Sequence, residues 1–291
     1  MNQGDGGAKE AHVINLQSQI VRIATEAKTQ AVAAAFFDYE TDTAWSYRGD
    51  AWFHAASTIK VALLVALFAA VEDGRLDLDA RVHIRNRFLS AVDGEPYRVP
   101  AGRDANGEVH AAIGKTLRVK ELAHYMIVSS SNLATNLLLD LIGVEAATRT
   151  LAELGISGIE LRRGVEDEKA YERGINNRIT ANGLIRLFRL MHEERLFSPE
   201  ASRRMLDTLH QQAFNSGIPA GLPGEIREHA RIAHKTGEIS TIAHDAGLVF
   251  LPKRQPYAVA ILTEWGADGN SQQETVARIS REIYEDLIER V

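Results

Sequence analysis

The 291-residue chain has no cysteine, which excludes disulfide bonds, thiolate nucleophiles and cysteine-bound zinc. It also lacks a long apolar run, because the longest, residues 61–71, is about half the length that a helix needs to span a bilayer. There is no basic excess either, since 39 acidic residues outnumber 33 lysines and arginines and leave a formal charge of −6. A general nucleic-acid binder usually carries a basic stripe. The sequence therefore predicts neither a membrane span nor a nucleic-acid partner.

Residues 1–12 are polar and lack the apolar core of a secretory signal peptide. Two interpretations of the compartment follow. Either the protein is cytoplasmic, or it is a mature form that has lost an export signal and acts in the periplasm or outside the cell. Hydrophobic residues (45%) and charged residues (25%) occur in the proportions of an ordinary globular protein.

The spacing of apolar residues predicts a segregated α+β fold. Strands near both ends of the chain should join in one antiparallel sheet, with a helical lobe between them and a cleft at their junction. The predicted strands are 30–38, 43–48, 231–234, 246–251 and 258–264. The predicted helices are 14–27, 55–72, 120–142 with a polar break at 129–132, 146–154, 181–194, 199–211 and 271–290. Residues 82–119, rich in glycine, proline and charge, predict an irregular surface excursion.

Three well-known motifs are incomplete or missing. The stretch 107–116 ends in Gly-Lys-Thr, but six residues separate its glycines where a phosphate-binding loop has four. No His-Glu-x-x-His motif occurs, and His229 and His234 have no evident third ligand. No Gly-x-Ser-x-Gly elbow occurs either. We therefore expect no phosphate loop, no metal site and no α/β-hydrolase.

The strongest local signal is Ser57-Thr58-Ile59-Lys60 at the front of the long apolar helix. Residues three apart lie on one helical face, so the Ser57 hydroxyl and the Lys60 amine should be neighbours. A serine is a poor nucleophile until a neighbouring group takes its proton. A lysine can do so when burial and nearby positive charge lower its pKa. The alternative is a helix N-cap followed by a lysine that reaches solvent.

Two further polar motifs stand in otherwise apolar segments. Ser130-Ser131-Asn132 interrupts a helical stretch, where a serine can relay a proton to a leaving nitrogen and an amide can hold a substrate carbonyl. The alternative is a cap for the helix that follows.

Lys235-Thr236-Gly237 follows the strand predicted at 231–234. The lysine and hydroxyl could bind a carboxylate, and Gly237 would let a substrate lie against the strand edge. The alternative is a lysine at an exposed strand edge.

Ser-x-x-Lys, Ser-x-Asn and Lys-Thr-Gly in this order resemble the signature of the class A serine β-lactamases and the related penicillin-binding peptidases. The similarity continues through 53–60, 73–78 and 132–139 and covers about residues 16–290. It implies an antiparallel sheet flanked by helices plus an all-helical lobe. It further implies one catalytic domain over 1–291, with a sheet lobe at about 13–54 and 212–291 and a helical lobe at about 55–211.

The resemblance also implies roles in acylation and in substrate binding. Ser57 would attack the lactam carbonyl, Lys60 would help to deprotonate it, and Ser130 would pass a proton to the lactam nitrogen. No metal or cofactor is implied, the substrate is a small β-lactam, and the protein is expected to be a monomer.

On the binding side, the resemblance assigns Asn132 to the substrate's side-chain amide. Lys235 and Thr236 would bind the substrate carboxylate beside Gly237. Backbone N–H groups of Ser57 and Glu238 would form the oxyanion hole.

Deacylation separates a β-lactamase from a peptidase. Class A enzymes use a loop glutamate that orients a water, with an asparagine four residues later. Glu166 matches that glutamate, but Glu168 competes for the role, Ala170 stands at the asparagine position, and the loop up to Thr180 is slightly shorter. A solvated acidic loop is the alternative interpretation.

Three other departures from the family pattern concern charge and loop length. Ser131 stands where the family has an aspartate, residues 82–119 are longer than expected, and the arginine that helps to hold the carboxylate has no clear match. We therefore expect a class A-like β-lactamase. The alternatives are a DD-peptidase or penicillin-binding esterase with slow deacylation, and a non-catalytic binder of lactams or peptidoglycan fragments.

Overall fold

The computed structural model describes residues 5–266 and 272–290, with side chains from residue 15 onward. The strands are β1 (Thr29–Asp38), β2 (Thr43–Tyr47), β3 (Phe53–His54), β4 (Arg81–His83), β5 (Phe88–Leu89), β6 (Pro96–Tyr97), β7 (Thr116–Arg118), β8 (Ile159–Glu160), β9 (Arg178–Ile179), β10 (Arg231–Ile239), β11 (Ile242–Phe250) and β12 (Tyr257–Trp265). The helices are α1 (Asp5–Glu26), α2 (Ile59–Glu72), α3 (Gly107–Ala111), α4 (Val119–Val128), α5 (Asn132–Ile142), α6 (Val144–Glu153), α7 (Glu168–Glu172), α8 (Ala181–His192), α9 (Pro199–Leu209), α10 (Ile218–Gly221), α11 (Gly224–Arg227) and α12 (Gln272–Glu289).

One five-stranded antiparallel sheet, in the order β10-β11-β12-β1-β2, brings together strands from both ends of the chain. Successive side chains of β1 enter opposite cores: Ala33 and Ala35 face the helical side, whereas Val32 and Phe36 face the side covered by α1 and α12. Because both faces are covered, the central strands β1 and β12 are apolar along most of their length. The predicted α+β architecture is confirmed.

The apolar helix α2 lies in the interior of the helical part. Every residue from 59 to 70 is buried, so the helix has no solvent face and packs against α4, α5, α6 and α9. A helix that is apolar all round belongs inside a protein. The interpretation of residues 61–71 as a buried helix is confirmed. None of the helices within the described residues is long and apolar enough to cross a membrane.

Several predicted boundaries were wrong at polar residues. The strand predicted at 231–234 continues to Ile239, and the strand predicted from 246 already begins at Ile242. Polar side chains interrupt the apolar pattern there, but they point into the site or pair with one another. The helix predicted from 55 begins at Ile59, after a 3-10 turn over Ala56–Thr58.

The prediction of a surface excursion at 82–119 was also wrong in part. Ile84, Phe88, Val99 and Val109 are buried in the main core, and the segment forms the ribbons β4–β7 and β5–β6. Its apolar residues are single and widely spaced, so they give no periodic signal. The two-residue strands β3, β8 and β9 were not predicted either, because they are too short to give a periodic signal.

Candidate active site

The Ser57 turn joins the short strand β3 to the buried helix α2. Ala56 adopts a left-handed backbone conformation with φ of 45°, which is costly for a residue with a side chain. Two contacts hold the turn: Ala56 N donates to His54 Nδ1 at 3.0 Å, and Thr58 Oγ1 donates to Ala55 O at 2.5 Å. Within the described residues the Ser57 hydroxyl makes no hydrogen bond, and it faces the cleft. The strained turn therefore presents a free hydroxyl.

Gly237 on β10 packs against this turn. A Cβ atom at 237 would lie 2.9 Å from Thr58 Cγ2, 3.0 Å from Thr58 N and 3.2 Å from Ala55 O. These distances are shorter than van der Waals contacts allow. The glycine therefore lets the strand approach the turn itself, and its expected role in substrate access to the strand edge stays a prediction.

Lys60 connects two of the three motifs. Its Nζ contacts Ser130 O at 2.6 Å, Asn132 Oδ1 at 2.8 Å and Ser130 Oγ at 3.1 Å. The side chain is completely buried. The alternative of a lysine that reaches solvent is therefore wrong.

The surroundings of the Lys60 amine lower its pKa. Burial and the nearby Lys235 hold the pKa of Lys60 well below its usual range, while Asp104 and Glu166 act in the opposite direction. A neutral amine has two N–H groups and one lone pair. Since Ser130 O and Asn132 Oδ1 can only accept, the Ser130 hydroxyl is the one contact able to donate to that lone pair.

The break between α4 and α5 places the second motif. Ser130 adopts a left-handed conformation with φ of 56°. Ser131 Oγ accepts from Ala134 N at 3.1 Å and caps α5, so the capping interpretation is correct for Ser131. The Asn132 Nδ2 group donates to Arg103 O and to Glu166 Oε1, both at 3.0 Å. Asn132 thus links Lys60 to Glu166.

The third motif forms one wall of the cleft. Lys235 is fully buried, its Nζ donates to Thr236 O at 2.8 Å, and burial lowers its pKa to about 7 against the opposing charge of Asp245. Thr236 pairs across the sheet with Asp245. Both oxygens of Asp245 lie within 3.0 Å of His234 Nδ1. Asp245 therefore lies on the strand next to Thr236, paired with a histidine.

The loop that follows β8 carries the glutamate singled out from the sequence. Glu166 has φ of 60°, and its side chain, 20% exposed, accepts from Asn132 and from Arg103 Nη1 at 3.3 Å. Glu168 is 68% exposed, and among the described residues its polar contact is the same Arg103 side chain, at 2.5 Å. Both carboxylates border the cleft, but Glu166 alone of the two is joined to Asn132 and through it to Lys60.

Buried hydrogen bonds fix this loop. Asn136 Oδ1 accepts from Val165 N at 2.8 Å and Asn136 Nδ2 donates to Val165 O at 2.9 Å, so both atoms of the amide hold the residue before Glu166. Asp167 caps the short helix α7 by accepting from Ala170 N at 3.1 Å. Ala170 is fully buried and brings only a methyl group.

Two adjacent cavities of about 760 and 610 Å³ form the cleft. Both border Ser57, which lies where they meet, and both extend along β10 to Glu238. Ser130 and Thr236 line the smaller cavity, and Glu166 lines the larger one. Among the described residues, no group of three or more His, Asp or Glu side chains is placed to hold a metal ion.

Two residues of the site were missed by the sequence analysis. Arg103 and Asp104 both come from the segment 82–119. Arg103 contacts Glu166, and Asp104 accepts hydrogen bonds from backbone N–H groups in the first turn of α5. Neither belongs to a recognisable motif. They reach the site because the buried residues Ile84, Phe88, Val99 and Val109 hold that segment against the core.

Comparison with known proteins is consistent with this geometry. The sequence model of the beta-lactamase enzyme family matches residues 15–287. A curated beta-lactamase of Bacteroides uniformis is 28% identical over 263 residues, which cover 84% of each chain. The extended-spectrum beta-lactamase PER-1 of Pseudomonas aeruginosa is 22% identical and covers 80% of this chain and 75% of its own.

Solved structures give the same result. PBP-A is 28% identical, with a TM-score of 0.80 over 95% of this chain and 97% of its own. A beta-lactamase from Sphaerobacter thermophilus is 25% identical, with a TM-score of 0.75 over 93% and 95%. At 23% identity, a variant of an ancestral class A beta-lactamase has a TM-score of 0.81, which confirms the fold.

Proposed function

The chain belongs to the beta-lactamase enzyme family, and we propose that it is a class A-like serine β-lactamase that opens the lactam ring through an acyl-enzyme on Ser57. The observation that carries this proposal is the contact set of Lys60. A buried amine, with its pKa lowered, contacts Ser130 and Asn132 one turn after a serine hydroxyl that no described residue engages. A buried lysine with a lowered pKa beside a serine is able to accept the serine's proton.

In the acylation step, Ser57 Oγ attacks the lactam carbonyl carbon and its proton passes to the neutral Lys60. As the C–N bond breaks, Ser130 donates its hydroxyl proton to the departing ring nitrogen. Lys60 then returns a proton to Ser130 across their 3.1 Å contact. The product is an ester on Ser57, and Lys60 and Ser130 have regained their starting protonation states.

Substrate binding would use the opposite wall. The protonated Lys235 and the Thr236 hydroxyl would hold the substrate carboxylate, and the N–H groups of Ser57 and Glu238 would stabilise the oxyanion. Asn132 would hold the side-chain amide. Because its amide already contacts Lys60 and Glu166, it would exchange one contact on binding.

Deacylation would use Glu166 as the base that takes a proton from water, which then attacks the ester and releases Ser57. Its link to Asn132 and its limited exposure favour it over Glu168. Ala170 adds no second ligand for that water. We therefore propose that deacylation is the slower half of the reaction.

One observation favours the alternative, an esterase or DD-peptidase that deacylates slowly. A similar structure, at 28% identity, is that of a point mutant of PBP-A as an acyl-enzyme complex with penicillin-G. Together with Ala170, this similarity keeps slow release as the second candidate. A non-catalytic binder is disfavoured because the polar groups around Ser57 are complete.

We further propose that residues 1–291 act as one monomeric catalytic domain, with a sheet lobe at about 13–54 and 212–291 and a helical lobe at about 55–211. The resemblance to exported enzymes supports action in the periplasm or outside the cell, with a cytoplasmic location as the alternative.

The test is incubation with a chromogenic cephalosporin and with benzylpenicillin, followed by absorbance and by the intact mass of the protein. The wild type should turn over continuously, with an acyl-enzyme adduct that is present during turnover and disappears once the substrate is consumed. Ser57→Ala should abolish turnover, and Glu166→Gln should accumulate an adduct of the substrate's mass. Glu168→Gln is the matched control, since the same change on the exposed neighbour should leave turnover near the wild-type rate.

Other outcomes would replace the proposal. One equivalent of product with a persistent adduct on wild-type Ser57 would identify the esterase or peptidase. An adduct in Glu168→Gln but not in Glu166→Gln would exchange the two glutamates. Neither product nor adduct would leave a binder.

A further inference from the structure

Asp104 accepts several hydrogen bonds, and its side chain has no exposed surface. Its Oδ1 accepts from Asn132 N at 3.1 Å, and its Oδ2 accepts from Leu133 N at 2.9 Å and from the Ser131 hydroxyl at 3.1 Å. His110 Nε2 lies 3.2 Å from Oδ2. The carboxylate thus lies directly at the first turn of α5.

These contacts surround the residues that touch Lys60. Ser130 and Asn132 flank the Ser131 hydroxyl that donates to Asp104, and both supply atoms to Lys60 Nζ. Burying a carboxylate is costly unless several donors satisfy it. Here the donors are the backbone N–H groups of Asn106, Asn132 and Leu133 and the hydroxyl of Ser131. Asp104 therefore both holds the second motif in place and brings a negative charge next to it.

We propose that Asp104 is a positioning residue for acylation. It fixes Ser130 and Asn132 against Lys60, and it supplies the negative charge that a serine at position 131 cannot supply. Resting on the proposed function, this inference concerns a residue from outside the three motifs. Asp104 acts through Ser130, Asn132 and Lys60, and it does not touch the substrate.

The charges around Lys60 support this assignment. The charged groups that act on the amine are Lys235, Glu166 and Asp104, and Asp104 raises the pKa of Lys60 against the effect of burial. His110, from α3, lies beside Oδ2 of the same carboxylate. Removing the Asp104 charge should lower the Lys60 pKa further, so the pH at which acylation begins should fall.

The experiment measures the acylation rate of the full-length protein with a chromogenic cephalosporin by stopped flow, over a range of pH. Asp104→Asn keeps the shape and removes the charge, and the acylation rate should fall about 10- to 100-fold because the reacting groups lose their alignment. The acid limb of the pH profile, which is the pH range over which the acylation rate rises, should move to lower pH. Adding Ser131→Asp to this variant should restore both the rate and the limb.

Asp79→Asn is the matched control, because it removes the same charge from a side chain that is 60% exposed. Its acylation rate and pH profile should match the wild type. If the wild type itself does not acylate, the proposed function falls. If the wild type acylates and a folded Asp104→Asn protein does so equally fast, only the role of Asp104 is refuted.

A slowed Asp104→Asn protein with an unmoved pH limb, not restored by Ser131→Asp, would also refute that role, because a loss of packing alone lowers the rate at every pH. If Asp104→Asn does not fold, the exchange variant Asp104→Ser/Ser131→Asp decides the question. It retains the hydroxyl–carboxylate pair and should fold and acylate. Failure of the exchange variant to fold or to acylate would overturn the proposal.

Discussion

Replacing Gly237 by alanine tests whether the approach of β10 to the Ser57 turn positions the serine. The new Cβ would lie 2.9 Å from Thr58 Cγ2 and 3.0 Å from Thr58 N. Ordinary carbon contacts are about 3.5–4.0 Å, so strand and turn must separate by roughly 0.5–1 Å. The neighbouring atoms include the backbone of the turn, which cannot simply rotate away. The displacement therefore reaches Ser57.

A misplacement of about 1 Å can cost a hundredfold in rate, so we expect kcat/KM of Gly237→Ala to fall about 10- to 100-fold. The free energy of unfolding should fall by about 1–3 kcal/mol, the usual cost of an overpacked side chain. Steady-state hydrolysis of a chromogenic cephalosporin gives the first quantity, and urea unfolding gives the second.

Gly224→Ala is the matched control, because nothing lies within 4 Å of a Cβ at that position. Activity there should be unchanged. If Gly237→Ala retained kcat/KM within about twofold of the wild type, a difference of under about 0.5 kcal/mol, the turn would not depend on the glycine. The reasoning from close approach would then be wrong.

Two further predictions concern the binding wall and the loop. Because the Lys235 pKa is lowered to about 7, the protonated form that binds a carboxylate is lost as the pH rises through that value, so kcat/KM should fall there. Lys235→Arg should move this fall well above pH 7, since a guanidinium stays charged, and a penicillin methyl ester, without the carboxylate, should show no such limb. Asn136→Leu removes both contacts to Val165, so the loop that carries Glu166 should shift. Deacylation should slow about tenfold, equivalent to the loss of one to two buried hydrogen bonds, with acylation nearly unchanged, which intact mass during turnover would detect as more adduct. An equal slowing of both steps would contradict this.

The three motifs could be found from the sequence because each is a short set of neighbouring residues whose spacing is dictated by chemistry. Ser57 and Lys60 were found from their spacing of three, although Ser57 lies in the 3-10 turn just before α2. The interrupted helix around Ser130 was found from its polar residues in an apolar stretch. The predicted strand ends were misplaced because polar residues were taken as the ends of the strands. Polar residues such as Thr236 and Asp245 lie inside strands and face each other, but in sequence they look like the ends of strands.

Asp104, by contrast, could not be predicted, because what makes it important is the approach of a distant segment. It lies 27 residues before Ser131 in the chain, and no periodic pattern leads to it. The loss of the aspartate at 131 was visible, but its replacement from another segment of the chain was not. A missing charge in a familiar motif is therefore a reason to search the structure for a carboxylate from elsewhere.

The departures from the family pattern fall unequally on the two halves of the proposed reaction. Acylation retains Ser57, Lys60 and Ser130, and Asp104 supplies the charge that is absent at 131. Deacylation retains Glu166, but Ala170 offers a buried methyl group where an amide would hold the water. The structure therefore favours fast acylation followed by slower release. Stopped-flow absorbance should show a burst of about one equivalent before the steady rate, because the acyl-enzyme accumulates. A linear time course from the first turnover, with no adduct detectable by mass, would mean that water is activated well without the residue-170 amide.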